Sequence, residues 1–121
     1  MKNIGLIGCG NIAETYFRAQ EYFNNINFVA CADINLDAAK KTAEQYNIIP
    51  LSVDEILTDK NVDIILNLTI PQAHYEISKR ALESNKHVYC EKPMSVKFDE
   101  AKELLNLAKK NSLYIGNAPD T

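Results

Sequence analysis

The sequence predicts a doubly wound α/β domain, a six-stranded parallel sheet in the order 3-2-1-4-5-6 with helices on both faces. Three observations predict it. Short apolar runs alternate with amphipathic stretches along all 121 residues, and parallel neighbours need the crossover that a helix supplies, almost always right-handed. The opening run Ile4-Gly5-Leu6-Ile7 turns at Gly8 and Gly10 straight into a helix. A second run, Phe28-Val29-Ala30-Cys31-Ala32, ends in Asp33, twenty residues beyond Ala13.

The first strand leads into a helix over about 11–23. Its Ala13, Tyr16 and Phe17 stand at i, i+3, i+4 spacing, with Phe23 further along. These aromatics read as core, not as a base-stacking platform. The second strand covers about 27–33. A helix over 36–46, capped by Asn35, places Leu36, Ala39, Ala43 and Tyr46 on one stripe and leaves Lys40, Lys41 and Glu44 in water. Asn47 closes it. Ile48-Ile49-Pro50-Leu51 predicts a short third strand, which Pro50 restricts to the sheet edge.

Ser52-Val53-Asp54-Glu55 is a capping-box pattern that opens a brief helix through Leu57. The near-continuous apolar run from Asp63 to Thr69 fits a fourth strand covered on both faces. A helix over about 72–84 turns Ile77 and Ala81 inward. Lys86 to Glu91 is the fifth strand, and a helix over 97–110 carries the stripe Ala101, Leu104, Leu105, Ala108. Leu113 to Gly116 is the sixth.

Length allows one domain with a genuine core and no second domain. Hydrophobic residues make up 46% and charged residues 24%, ordinary values for a globular chain. A net charge of −3 gives no electrostatic reason to expect nucleic acid. Cys9, Cys31 and Cys90 cannot all pair and form no C-x-x-C, so they read as reduced thiols on or beside buried strands, with no metal site. Gly8, Gly10 and Asn11 interrupt the N-terminal apolar run too early for a signal peptide. No segment approaches the roughly 18 apolar residues that span a bilayer. The expectation is a soluble, cytoplasmic protein.

Gly8-x-Gly10-x-x-Ala13 fits the dinucleotide-binding fingerprint, with alanine in the third small position. Gly8 permits the tight turn. Gly10 lets the backbone approach a pyrophosphate, and Ala13 keeps the helix near the sheet. The orphan N–H groups of that helix start, where Asn11 and Ile12 lie, with its positive dipole end, make an anion site. The bare motif could equally be an ordinary strand-to-helix turn; context favours the nucleotide. Asp33, followed by Ile34, is placed to accept the adenosine ribose hydroxyls. Its carboxylate repels a 2′-phosphate and no arginine follows nearby, which favours NAD over NADP. The bland alternative for Asp33 is a solvated loop acid.

Topology places the ligand crevice where strands 1 and 4 diverge, at their carboxyl ends. Thr69-Ile70-Pro71-Gln72-Ala73-His74 follows strand 4, and Glu91-Lys92-Pro93 follows strand 5.

With these residues the chain resembles, over its whole length, the Rossmann-type N-terminal domain of the glucose-fructose oxidoreductase/inositol dehydrogenase/rhizopine-catabolism (Gfo/Idh/MocA) family. Thr69-Ile70-Pro71-x-x-His74 is similar to the family's Thr-Pro-Pro-x-x-His segment, with Ile70 in place of the first proline. The resemblance implies that Lys92 of the Glu-Lys-Pro tripeptide sits near the nicotinamide, hydrogen-bonds the substrate hydroxyl and is catalytic. Glu91 then holds Lys92 or contacts the nicotinamide end, and Pro93 fixes the turn. His74 lies near the crevice; in the first turn of a helix a neutral imidazole is expected. Its alternative is a structural histidine tying the loop down. His87 receives no role.

The resemblance further implies an oxidoreductase acting on CH–OH groups of sugars, inositols or related polyols, homo-oligomeric at full length. Its C-terminal domain, which carries the substrate-binding residues, is expected to be missing, leaving a fragment that binds nucleotide but is catalytically incomplete. Two alternatives stand beside this. A non-catalytic NAD(H)-sensing module would share Gly8, Gly10 and Asp33 without needing Glu91-Lys92-Pro93. An S-adenosylmethionine-dependent methyltransferase usually shows a further glycine and an acid near the first turn, and no acid precedes Gly8.

Overall fold

A computed structural model describes residues 2–10, 13–19, 25–91 and 97–117. Asn11, Ile12, Phe23, Lys92 and Pro93 lie outside the described residues. The elements are β1 (Lys2–Ile7), α1 (Ala13–Ala19), β2 (Ile26–Ala32), α2 (Leu36–Tyr46), β3 (Ile49–Pro50), α3 (Val53–Thr58), β4 (Ile64–Asn67), α4 (Pro71–Glu83), β5 (His87–Cys90), α5 (Phe98–Lys110) and β6 (Ile115–Asn117). Every strand pairing is parallel, and the sheet order is β3-β2-β1-β4-β5-β6, as the alternation of elements predicts.

Local chemistry sets the boundaries. Asn35 caps α2 by accepting from the Asp37 and Ala38 N–H groups at 3.0 and 3.2 Å, and Asn47 ends that helix in the left-handed region at φ 57°. Ser52 and Glu55 form a full capping box on α3: the Glu55 N–H donates to Ser52 Oγ and the Ser52 N–H to the Glu55 carboxylate. Pro50 stands on the edge strand β3. Pro71 opens α4, where its missing N–H costs nothing.

The sheet is sandwiched between two apolar layers. On one face Ile7, Ile56, Ile65, Leu82, Val88 and Leu104 pack with α3, α4 and α5. On the other, Leu6, Ala13, Phe17, Phe28, Cys31 and Leu66 pack with α1 and α2. Phe17 stacks on Tyr46 with ring centroids 4.0 Å apart and tilts against Phe28 at 4.9 Å.

Two stripe positions differ from the sequence expectation. Leu36 and Leu105 are exposed, because the buried faces of α2 and α5 narrow to Ala39 with Ala43 and to Leu104 with Ala108. Strand β6 starts at Ile115, two residues later than expected, since Leu113 N–H instead closes α5 onto the Ala108 carbonyl at 2.8 Å. Gly5 has a packing role that the fingerprint does not mark. A Cβ there would meet Ile56 side-chain atoms at 2.8 Å, so the glycine lets α3 seat against β1.

Candidate functional site

The site is built at the carboxyl ends of β1, β2, β4 and β5. Strand β1 stops at Gly8, which has φ +103° and donates its N–H to the Ala32 carbonyl at 2.9 Å. A Cβ on Gly8 would lie 2.6 Å from the backbone carbon and oxygen of Leu68. Both the dihedral and the neighbouring strand end therefore demand glycine. Gly10 differs: an added Cβ would meet nothing within 4 Å. No neighbour among the described residues explains that glycine, and open space above a helix start is what a bound anion requires. The Ala13 N–H donates to the Gly10 carbonyl at 3.1 Å and the Ala13 side chain is buried, drawing α1 onto the sheet.

Asp33 follows β2 and reaches back to the turn. Its Oδ2 accepts from the Cys9 N–H at 2.7 Å, and its Oδ1 accepts from the Asn35 N–H at 2.9 Å. Each carboxylate oxygen can accept a second hydrogen bond, so this staple is compatible with binding hydroxyls. A cavity of about 290 Å³ lies beside it, lined by Gly8, Gly10, Asp33, Ile34, Thr69 and Ile70 among others. Its lining is chiefly apolar, and Ile34 (94% exposed) and Ile70 (67% exposed) stand at its rim. A larger, more polar hollow of about 450 Å³ lies between α1 and α2 and shares the turn residues Cys9 and Gly10 after β1, but no residue of β4 or of the loop after it lines that hollow.

The wall after β4 hangs on one amide. Asn67 is fully buried at the end of that strand. Its Nδ2 donates to the His74 carbonyl and to Ser78 Oγ, both at 3.0 Å. Its Oδ1 accepts from the Thr69 N–H at 3.2 Å and from Thr69 Oγ1 at 2.6 Å. All four capacities of the amide are used. His74 is buried, 1% exposed, and its Nε2 donates to the Thr69 carbonyl at 2.6 Å. A carbonyl only accepts, so Nε2 carries a proton. The ring ties the Thr69-Ile70-Pro71 loop to α4, as the structural alternative for this histidine requires.

Glu91 follows β5 and is half-buried. Its N–H donates to the Asn67 carbonyl at 3.1 Å, and its Oε1 accepts a hydrogen bond from the Tyr16 hydroxyl of α1. Burial, then the Glu91 carboxylate, pushes the Tyr16 hydroxyl well above the usual tyrosine range, so it stays protonated. The Tyr16 ring meets Tyr89 edge-on, centroids 6.3 Å apart.

Gly8, Gly10, Asp33, Ile34, Thr69 and Ile70 thus share one cavity wall, with Pro71 and His74 supporting its loop and Glu91 joined to the same strand ends. Two participants were not apparent from sequence reasoning. Asn67 is the one polar residue inside Ile64-Ile65-Leu66-Asn67-Leu68, and that isolation was a usable signal. Tyr16 reads from sequence as core, and nothing in its spacing points to Glu91. Among the described residues no cluster of three or more His, Cys, Asp or Glu could hold a metal. No helix among them is long and apolar enough to cross a membrane.

Comparison with known proteins agrees with this geometry. The model of the Gfo/Idh/MocA oxidoreductase family, NAD-binding Rossmann fold, matches residues 2–118. An uncharacterized oxidoreductase of Bacillus subtilis is 29% identical over 113 residues, covering 92% of this chain and 33% of that protein. The inositol 2-dehydrogenase of Azotobacter vinelandii is 32% identical over 108 residues, covering 86% and 32%. A solved structure of a 3-ketoreductase from Actinomadura kijaniata in complex with NADP and TDP-benzene superposes with a TM-score of 0.88 at 28% identity, covering 96% of this chain and 36% of that one. The chain spans about a third of the length of these relatives.

Proposed function

The chain belongs to the Gfo/Idh/MocA oxidoreductase family, NAD-binding Rossmann fold, and from that premise we propose that it is the coenzyme-binding part of a longer enzyme. That enzyme moves a hydride between a nicotinamide and a CH–OH carbon of a sugar, inositol or related polyol. The inositol 2-dehydrogenase relatives support the substrate class. One observation carries the reading: the Asp33 carboxylate grips the glycine turn through the Cys9 N–H at 2.7 Å and lines the same cavity as Gly8 and Gly10. A ribose acceptor and a diphosphate cradle stand side by side.

In this reading Gly8 and Gly10, with Asn11 and Ile12 at the start of the helix, take the diphosphate on main-chain amides. Asp33 and Ile34 take the adenosine ribose. Ile34 and Ile70 offer apolar surface at the cavity rim for a flat base. Thr69, Ile70 and Pro71 form the wall that His74 steadies, and Glu91 and Lys92 serve the nicotinamide end. NAD supplies the carbon that accepts or returns the hydride. The ammonium of Lys92 hydrogen-bonds the substrate oxygen, stabilises negative charge growing there as hydride departs, and eases loss of the hydroxyl proton. Substrate selection belongs to the part of the relatives that this chain does not span, and catalysis by the chain alone is expected to be incomplete.

NAD is the preferred coenzyme in this proposal, because a 2′-phosphate would bring its negative charge against Asp33. Calorimetric titration with NADH, NADPH and S-adenosylmethionine tests it. Saturable NADH binding is expected, at least tenfold tighter than NADPH, lost in Gly10→Val and stripped of its preference in Asp33→Ala. Equal affinity for both coenzymes in the unmodified chain would refute the NAD assignment. Response to the methyl donor alone would refute the oxidoreductase reading.

A further inference from the structure

A phenol and a carboxylate 75 positions apart in the chain meet beside the carboxyl end of β5. Tyr16 comes from α1, the helix whose start faces the glycine turn. Glu91 is the first residue after β5 and directly precedes Lys92. We propose that Tyr16 is a positioning residue for the nicotinamide end of the site: by holding Glu91 it fixes the carboxyl end of β5 against the helix whose start faces the glycine turn. The inference rests on the coenzyme reading above and deepens it.

The geometry shows why a holder is needed. The Glu91 N–H to Asn67 carbonyl bond continues the ladder between β4 and β5 for one residue past Cys90. A rotation in the Glu91 backbone would swing whatever follows. The Tyr16 hydroxyl fixes the Glu91 side chain, and the edge-on contact with Tyr89, two residues before Glu91, fixes the Tyr16 ring. The strand end is therefore held from its own sheet and from α1.

The chemistry also suits a tyrosine. A phenol donates a hydrogen bond without adding charge, so the Glu91 carboxylate keeps a second oxygen to offer an ammonium. A lysine or arginine in this place would neutralise it. A phenylalanine would keep the contact with Tyr89 and release the carboxylate. Since burial and Glu91 both raise the Tyr16 pKa, the donor persists through the neutral range.

The test uses the 121-residue chain, Tyr16→Phe, Glu91→Ala and the double variant, each titrated with ADP-ribose by calorimetry and with NADH by dihydronicotinamide fluorescence. ADP-ribose carries the diphosphate and adenosine without the nicotinamide. In Tyr16→Phe its affinity is expected to stay within about twofold, while NADH binds about fivefold more weakly and its fluorescence enhancement falls. In the Glu91→Ala background, Tyr16→Phe should change nothing further. ADP-ribose binding also certifies that each variant is folded. Unchanged NADH affinity and fluorescence in Tyr16→Phe would overturn the proposal, as would equal losses for both ligands, which would mean that α1 itself had moved. Failure of the unmodified chain to bind ADP-ribose would overturn the coenzyme reading and this inference with it.

Discussion

Gly8 and Gly10 are glycines for different reasons, and replacing each by alanine should separate stability from binding. At Gly8 the backbone sits at φ +103° and the new Cβ would stand 2.6 Å from the Leu68 carbonyl. Left-handed backbone costs an L-residue roughly 1–2 kcal/mol, and forcing a methyl against a strand end costs about 1–3 kcal/mol more. The total is roughly 2–5 kcal/mol. At about 4 °C per kcal/mol for a chain of this size, Gly8→Ala should lower Tm by roughly 8–20 °C. Gly10 has open space around its missing Cβ. Gly10→Ala should leave Tm unchanged or raise it slightly, by up to about 1 kcal/mol of stability through a less flexible unfolded chain. The methyl would nevertheless occupy the approach to the helix start, and NADH affinity should fall at least tenfold. Thermal melts by circular dichroism without ligand, paired with calorimetric titration, read both effects. A Gly10→Ala variant as unstable as Gly8→Ala would refute the reasoning, and so would one that binds NADH normally.

Three further outcomes follow from buried polar groups and thiols. Asn67→Ala empties a fully buried amide site and takes a hydrogen-bond partner from the Thr69 hydroxyl, the Ser78 hydroxyl and the His74 carbonyl, so urea unfolding should show a loss of about 2–4 kcal/mol; a loss under 1 kcal/mol would contradict the network. Lys86 is buried, its ammonium donates to the Asp59 and Val62 carbonyls at 2.6 and 2.7 Å, and burial lowers its pKa. The unfolded chain then holds that proton more tightly, so the wild type should gain stability relative to Lys86→Met as pH rises from 8 toward 10; urea melts across that range showing the opposite slope would refute the assignment. Cys31 and Cys90 are fully buried, and burial pushes the Cys90 thiol up to about 11, whereas Cys9 is partly exposed. Ellman's reagent should therefore titrate one thiol in the native protein and three after denaturation; prompt reaction of two or more native thiols would show that the strands open.

Sequence patterning made the strand order legible because it depends on coarse quantities: apolar runs, crossovers and a proline that confines β3 to the edge. Caps were legible for the same local reason, since Asn35, Asn47, Ser52 and Glu55 act within four residues of themselves. Leu36 and Leu105 were misjudged because a stripe gives the direction of a helix's apolar face and not its width, which the neighbouring element sets. Gly5 serves a packing contact with Ile56, 51 positions away, and such a contact leaves no mark in spacing. The same holds for the site. The fingerprint and Asp33 could be read from their intervals, but the bond from the Cys9 N–H to Asp33 and the bond from Tyr16 to Glu91 join residues that only the fold brings together.

Those long-range contacts link the parts of the crevice. Gly8 is wedged against Leu68, and the residue after Leu68, Thr69, is held by Asn67. The Asn67 carbonyl takes the Glu91 N–H, Glu91 takes the Tyr16 hydroxyl, and Tyr16 stands on the helix that begins just beyond Gly10. Asp33 fastens the remaining side through the Cys9 N–H. Among the described residues, these contacts therefore join one wall of the crevice to the next around the turn. It follows that substitutions at the rim, such as at Ile34 or Ile70, should alter ligand choice at little cost in stability, whereas substitutions among these contacts, such as at Asn67, should disturb several walls together.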